Sequence, residues 1–169
     1  MRTTEALLPP ECHTLRAQVS NIVTGLRGVS EDLQEISRGI HPAILSRGGL
    51  GPALKTLARR SAVPVELHLG IDRRLSDSAE VAAYYVVAEA LTNSAKYAQA
   101  SEVTIDVEAD GTNVLLSISD DGIGGADPHK GSGLIGLVDR VEALGGQLRI
   151  SSLVGSGTSL LATIPVDGS

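Results

Sequence analysis

Gly131-Ser132-Gly133-Leu134-Ile135-Gly136, GSGLIG, decides between two folds for this chain. As G-x-G-x-x-G it matches a dinucleotide fingerprint, which belongs to a doubly wound parallel sheet. That version needs a strand directly before the glycines and a carboxylate about 20 residues later, ending a second strand. Here Ala126-Asp127-Pro128-His129-Lys130 precedes them and reads as a loop. The region from Ser151 to Leu153, at the distance where the acid should stand, holds none. The dinucleotide reading fails on both counts, and no G-x-x-x-x-G-K-[ST] loop occurs anywhere. What is left is a glycine loop opening a helix, whose free N–H groups and dipole favour an anion.

The helix that GSGLIG opens runs from about Leu134 to Leu144 and is closed by Gly145-Gly146. Before it, Val103, Ile105 and Val107 mark one strand and Val114, Leu116 and Ile118 another, joined at Asp110-Gly111. After it come Leu148 and Ile150. Then Gly155-Ser156-Gly157 turns into a last strand with Leu160, Ala162 and Ile164 on one face. Upstream, Val63, Val65, Leu67 and Leu69 alternate as a half-buried strand, and Ser76 or Ser78 caps a long helix reaching about Ala98. Hairpin-linked strands with helices interspersed predict an α+β fold, a two-layer α/β sandwich.

A heptad seam precedes this sandwich. Leu15, Val19, Ile22, Leu26, Val29, Leu33, Ile36 and Ile40 alternate spacings of 4 and 3, the pattern of a helix lying along a partner helix. Gly25, Gly28 and Gly39 each weaken that helix by about 1 kcal/mol relative to Ala, so it leans on its partner. The partner is either a second chain or the protein's own core. His41-Pro42 ends the seam, Gly48 to Gly51 reads as a turn, and Pro52 to Arg60 as a short helix.

Composition narrows the function. Hydrophobic residues make up 42% of the 169, enough for a core, which must be aliphatic because there are three Tyr and no Phe or Trp. Scarce aromatics and a net charge of −6 argue against nucleic-acid partners. Cys12 alone provides no disulfide framework and no cysteine metal site, in keeping with a reducing cytoplasm. No apolar run approaches the ~18 residues of a membrane span, and Met1-Arg2-Thr3-Thr4 leads into no signal-peptide core. The expectation is a cytoplasmic chain that makes no membrane contact of its own, standing alone or as the cytosolic part of a membrane-bound sensor.

Two clusters carry chemistry. On the long helix, Ala82, Val86, Glu89, Asn93 and Lys96 step by 4, 3, 4 and 3 and share a stripe that begins apolar and ends polar. Glu89 and Asn93 offer hard oxygens of the kind magnesium takes, and Lys96 offers phosphate a point charge. A solvated helix face with an i,i+4 pair explains the same pattern. At Ser119-Asp120-Asp121-Gly122-Ile123-Gly124-Gly125, Asp120 shares parity with the inward Val114, Leu116 and Ile118, while Asp121 faces out. An inward carboxylate at a strand end needs donors. An adenine amino group is one, and Gly122 and Gly124 would let backbone approach a flat base. A plain Asp-Gly turn is the competing reading.

EALTNSAKY (Glu89–Tyr97), DDGIG, GSGLIGL and GSGT, in this order, resemble the nucleotide-binding boxes of GHKL-type ATPases with the Bergerat fold. More narrowly they are similar to bacterial sensor histidine kinases whose response regulators carry a NarL-type output domain. SRGIHPAILSRGGLGPAL (Ser37–Leu54) resembles the end of that class's second dimerisation helix and its linker. The resemblance implies three segments: 1–46 from a dimerisation and phosphotransfer hairpin, 47–62 a linker with a short helix, and 63–169 the ATP-binding catalytic domain. It implies that Asp120 accepts from the adenine amino group, that Gly122 and Gly124 shape the base pocket, and that Asn93 ligates Mg²⁺. Glu89 takes the catalytic carboxylate's place and Lys96 a phosphate contact. Gly131, Gly133, Leu134, Gly136 and Leu137 correspond to the lid over the triphosphate, and Thr158 to a hydroxyl near phosphates or base. Tyr97 stands where many relatives carry His. ATP and magnesium are the implied cofactors. A homodimer through helix 15–40, and a response regulator, are the implied partners.

One part of that pattern is missing. The class phosphorylates a His followed by Asp or Glu, but here His13, His41, His68 and His129 precede Thr14, Pro42, Leu69 and Lys130. The phosphoacceptor helix is therefore expected upstream of Met1 in a longer protein, or on another chain. Anti-sigma serine kinases and chaperone or mismatch-repair ATPases share the fold but not the Ser37–Leu54 linker. A nucleotide-binding, dimerising regulatory module without kinase activity is the alternative of another class.

Overall fold

The turn expected at Gly48 to Gly51 shrinks to one residue. Gly49, at φ +76°, separates helix α1 (Ala43–Gly48) from helix α2 (Leu50–Arg60), so α2 begins two residues before Pro52. A computed structural model describes residues 42–127 and 132–166 of the chain. The heptad seam, its dimer reading, Gly131, and His13, His41 and His129 lie outside the described residues.

Strand β1 (Val65–Gly70) follows α2. Val63 is buried but precedes the strand. The Ser76 side chain then caps helix α3 (Asp77–Asn93), accepting from the Ala79 N–H at 3.4 Å. The expected helix to Ala98 changes character at its end: Ser94–Ala98 is a π turn, closed by Gln99 in the left-handed region at φ 52°. Strands β2 (Val103–Ala109) and β3 (Asn113–Asp120) form the hairpin signalled by Asp110-Gly111. Helix α4 (Ser132–Glu142) starts and stops two residues earlier than expected. Strands β4 (Gln147–Ser151) and β5 (Thr158–Pro165) complete the sheet.

The sheet order is β1-β2-β3-β5-β4, antiparallel except that β1 runs parallel to β2. That one parallel pair arises because α3 carries the chain back across the sheet between β1 and β2. The rest meets the α+β expectation.

Register explains the core. Ile105 faces Ile118, Val107 faces Leu116, and Ile118 and Leu116 in turn face Leu160 and Ala162. One sheet face is therefore aliphatic up to the end where Asp120 and Thr158 pair. Ala79, Ala82, Ala83, Val86, Val87 and Ala90 of α3, with Leu137 and Val141 of α4, are buried in the same cluster. The small alanines let α3 lie close to the strands. Leu45, Leu50, Ala53 and Leu54 are buried there too, so residues 43–62, expected as hairpin end and linker, pack as part of the sandwich. Glu66, His68, Leu115 and Leu161 alternate onto the exposed face. None of the helices among the described residues is long and apolar enough to cross a membrane.

Candidate functional site

Asp120 closes β3 with the inward parity expected of it, and it is half-buried. The Gly122 and Thr158 N–H groups donate to its Oδ1 at 3.0 and 3.2 Å, and the Ser94 hydroxyl donates to Oδ2 at 3.0 Å. A carboxylate has about four lone-pair sites, so among the described residues one is left without a donor, on Oδ2. Thr158 is Asp120's cross-strand partner, which puts both on the same face at the same end of the sheet. Asp121 points outward as its parity requires. The Ser101 hydroxyl and the Glu102 and Ser101 N–H groups bind its carboxylate and hold its pKa below the usual 3.8.

The stripe along α3 runs from core to site. Ala82 and Val86 are buried, and Glu89 and Asn93 are half-buried. Asn93 Nδ2 donates to Glu89 Oε1 at 3.2 Å, which turns the Asn93 carbonyl oxygen away from Glu89 and leaves it for another partner. Lys96 departs from the stripe. It lies in the π turn, which winds more residues per turn than the α-helix, so it falls off the Glu89–Asn93 line and is exposed. Tyr97 is exposed beside it.

The glycines divide by what a side chain would meet. At Gly133, in the first turn of α4, a methyl would collide with Glu89 Oε1, so the start of that helix sits directly on the Glu89 carboxylate. At Gly122 and Gly124 a methyl would strike the carbonyls of Ala98 and Leu153, and Gly124 has φ +62°. The absent side chains there make room for the chain's own backbone, a different use from the approach to a base expected of them. Gly136 has open space around it and lies in the second turn of α4, past the residues whose N–H groups lack helical partners. Leu137 is a core residue and Leu134 packs against the core.

Three features carried no sequence signal. Ser94, 3% exposed, supplies Asp120's third donor. Ser152 binds the Thr158 hydroxyl at 2.9 Å, accepts from the Ala126 N–H at 3.0 Å, and reaches the Gly157 carbonyl at 3.4 Å. Away from the site, Glu80 is fully buried and accepts two bonds from Arg74, at 2.9 and 3.1 Å, and one from the Leu75 N–H. A methyl on Gly49 would press on this pair, which fixes the α1–α2 junction.

Residues 78–168 match the family model described as histidine kinase-, DNA gyrase B-, and HSP90-like ATPase. The chain is 32% identical over 164 residues to the signal transduction histidine-protein kinase/phosphatase DegS of Brevibacillus brevis, covering 92% of this chain and 41% of that protein. It is 30% identical over 145 residues to the oxygen sensor histidine kinase NreB of Staphylococcus carnosus, covering 80% and 42%. It thus spans less than half the length of either relative. In fold it is similar to the Acinetobacter baumannii histidine kinase AdeS, at TM-score 0.58 and 20% identity over 95% of this chain and 87% of that one. The ATP-binding domain of PrrB from Mycobacterium tuberculosis gives 0.54 and 19% over 70% and 91%. With more than half of its residues inside the matched region, the chain belongs to the histidine kinase-, DNA gyrase B- and HSP90-like ATPase family.

Proposed function

We propose that this chain is the ATP-binding catalytic part of a sensor histidine kinase. It positions Mg-ATP so that the γ-phosphoryl passes to a histidine on a dimerisation helix, for relay to a response regulator with a NarL-type output domain. The observation that carries the reading is the Asp120 carboxylate. Three protein donors hold it, one acceptor site stays open, and Ser94 ties it to the helix end bearing Glu89 and Asn93.

In this reading Asp120 Oδ2 accepts from the adenine amino group. Asn93 holds a magnesium ion through its side-chain oxygen, which fits an ion that takes few protein oxygens and keeps its waters and phosphates. Bound magnesium would neutralise triphosphate charge. Glu89 fixes the Asn93 amide and orients the attacking imidazole, while the N–H groups at the start of α4, that of Gly133 among them, and the Lys96 ammonium meet phosphate oxygens; by its resemblance Gly131 joins them. Thr158 meets the base.

Residues 1–46 are then the end of a dimerisation hairpin, 47–62 its linker, and 63–169 the catalytic domain, with Leu45 of the hairpin end and Leu50, Ala53 and Leu54 of the linker docked on the catalytic core. In the same reading the chain forms a homodimer through the heptad-patterned segment 15–40 and is cytoplasmic. The test is titration of the chain with ATP, with magnesium and with chelator. Saturable binding that magnesium strengthens is expected; no binding in either buffer refutes the proposal.

A further inference from the structure

Arg140 and Tyr85 lie outside every motif that points to the nucleotide, yet they join the two helices that meet at the site. The Arg140 guanidinium lies over the Tyr85 ring, 4.6 Å from its centroid. Both residues are half-buried, so the contact is partly shielded from water and stronger for it. Tyr84 packs edge-on against Tyr85, with the ring centroids 5.7 Å apart, and steadies that ring. Tyr85 stands one turn before Glu89 on α3, and Arg140 stands seven residues after Gly133 on α4. Residues one turn apart share a helix face, and seven residues come to within about 20° of two full turns. Tyr85 and Glu89 therefore look out from one side of α3, and Gly133 and Arg140 from one side of α4.

The two sides meet at two points. Arg140 covers Tyr85, and the start of α4 at Gly133 sits on Glu89 Oε1, so α4 runs antiparallel to α3 along this seam. Leu137 and Val141 hold α4 to the core, but apolar packing has no direction of its own. A rotation of α4 by one residue would set Leu134 against the Glu89 carboxylate in place of Gly133. The fit at Gly133 leaves no slack, since even a methyl there would collide with Glu89 Oε1. The same oxygen accepts from Asn93 Nδ2 at 3.2 Å. The grip on Tyr85 therefore sets, through two turns of helix, which side of α4 faces Glu89. We propose that Arg140 is a positioning residue: by holding Tyr85 it seats Gly133 against Glu89 and keeps that carboxylate aligned for phosphoryl transfer. The proposal rests on the histidine-kinase reading of the site and deepens it.

The test uses the full chain and Mg-ATP, with a separate fragment bearing a His-Asp or His-Glu dimerisation helix as acceptor. Arg140→Met keeps the apolar stem and removes the charge. The seated arrangement then loses one partly shielded cation–π contact, so kcat for transfer should fall about fivefold. KM for ATP should move by less than about twofold, because Asp120, Lys96 and magnesium still hold the nucleotide. A general loosening of the domain would instead raise KM at least as much as it lowers kcat. Arg140→Lys, which keeps a charge over the ring, should recover part of the rate. In a Tyr85→Leu background, Arg140→Met should lower kcat no further, since the ring it acts through is gone. Gly133→Ala, which displaces Glu89 directly, gives the same comparison from the other end, and there too Arg140→Met should add nothing. An unchanged kcat in Arg140→Met, a KM rise matching the loss of kcat, or an equal drop in either background overturns the assignment. Failure of the unsubstituted chain to transfer phosphoryl from ATP overturns the histidine-kinase reading instead.

Discussion

Asp120→Asn tests the base pocket without touching the fold, because the backbone decides how the new amide must sit. Oδ1 accepts from two N–H groups, Gly122 at 3.0 Å and Thr158 at 3.2 Å. In asparagine only the carbonyl oxygen can take that place, since the amide NH₂ would set donor against donor twice. The NH₂ is thereby forced into the Oδ2 position. There the Ser94 hydroxyl can turn its lone pair to it, so the free protein keeps its bonds. ATP does not: its amino group meets a donor where it had an ionised acceptor. Loss of one hydrogen bond to a charged group amounts to about 1.5–3 kcal/mol, roughly 10- to 100-fold in Kd. ITP, with a keto oxygen at that position, should lose much less. Isothermal titration of both nucleotides, with a melting curve to show that the fold is intact, is the assay. Unchanged ATP affinity in a folded Asp120→Asn protein would refute the reasoning.

Three further outcomes follow from the geometry. Gly133→Ala should fold normally, gaining up to about 1 kcal/mol of helix propensity. Its methyl would push Glu89 off Asn93, so phosphoryl transfer should drop while the melting temperature does not; unimpaired transfer contradicts the contact. Arg74→Ala leaves the buried Glu80 carboxylate without its main partner and should cost about 3 kcal/mol in urea unfolding, with Glu80→Gln costing less. Equal, small losses in both would show the pair to be dispensable. The hydrogen bond to Asp106, with Glu66 adding its charge, raises the pKa of the exposed His68 above the usual 6.5. Its contribution to stability is then fully present below that value and lost as pH rises through the raised pKa. Unfolding curves for the protein and His68→Gln should converge over that window, and parallel curves would contradict it.

The sheet face and Asp120 were legible in the sequence because both rest on period-two alternation, and the α3 stripe because it rests on helical spacing. Periodicity names a face but not a neighbour, so the parallel β1–β2 pair was not visible. The π turn was hidden because Ser94 to Ala98 contains nothing hostile to an α-helix, so the change of winding before Lys96 was not visible. Ser94, inside EALTNSAKY but with no role read for it, and Ser152 gave no signal, since a serine looks like any surface serine until the fold sets it against a carboxylate or a threonine. Arg74 and Glu80 read as surface charges, and only tertiary burial shows them to be one unit. At Gly122 and Gly124 what a side chain would meet is the chain's own backbone, which no spacing in the sequence shows.

In the proposed function this chain holds ATP for transfer to a histidine on another helix, since none of its four His is followed by Asp or Glu. Labelled γ-phosphoryl ATP, mixed with the chain and a separate fragment bearing a His-Asp or His-Glu dimerisation helix, tests this most directly. The expected result is an acid-labile phosphohistidine on the fragment, abolished by Asn93→Ala, and no stable label on this chain. Label on this chain, or none on the fragment while ATP is bound, would contradict it.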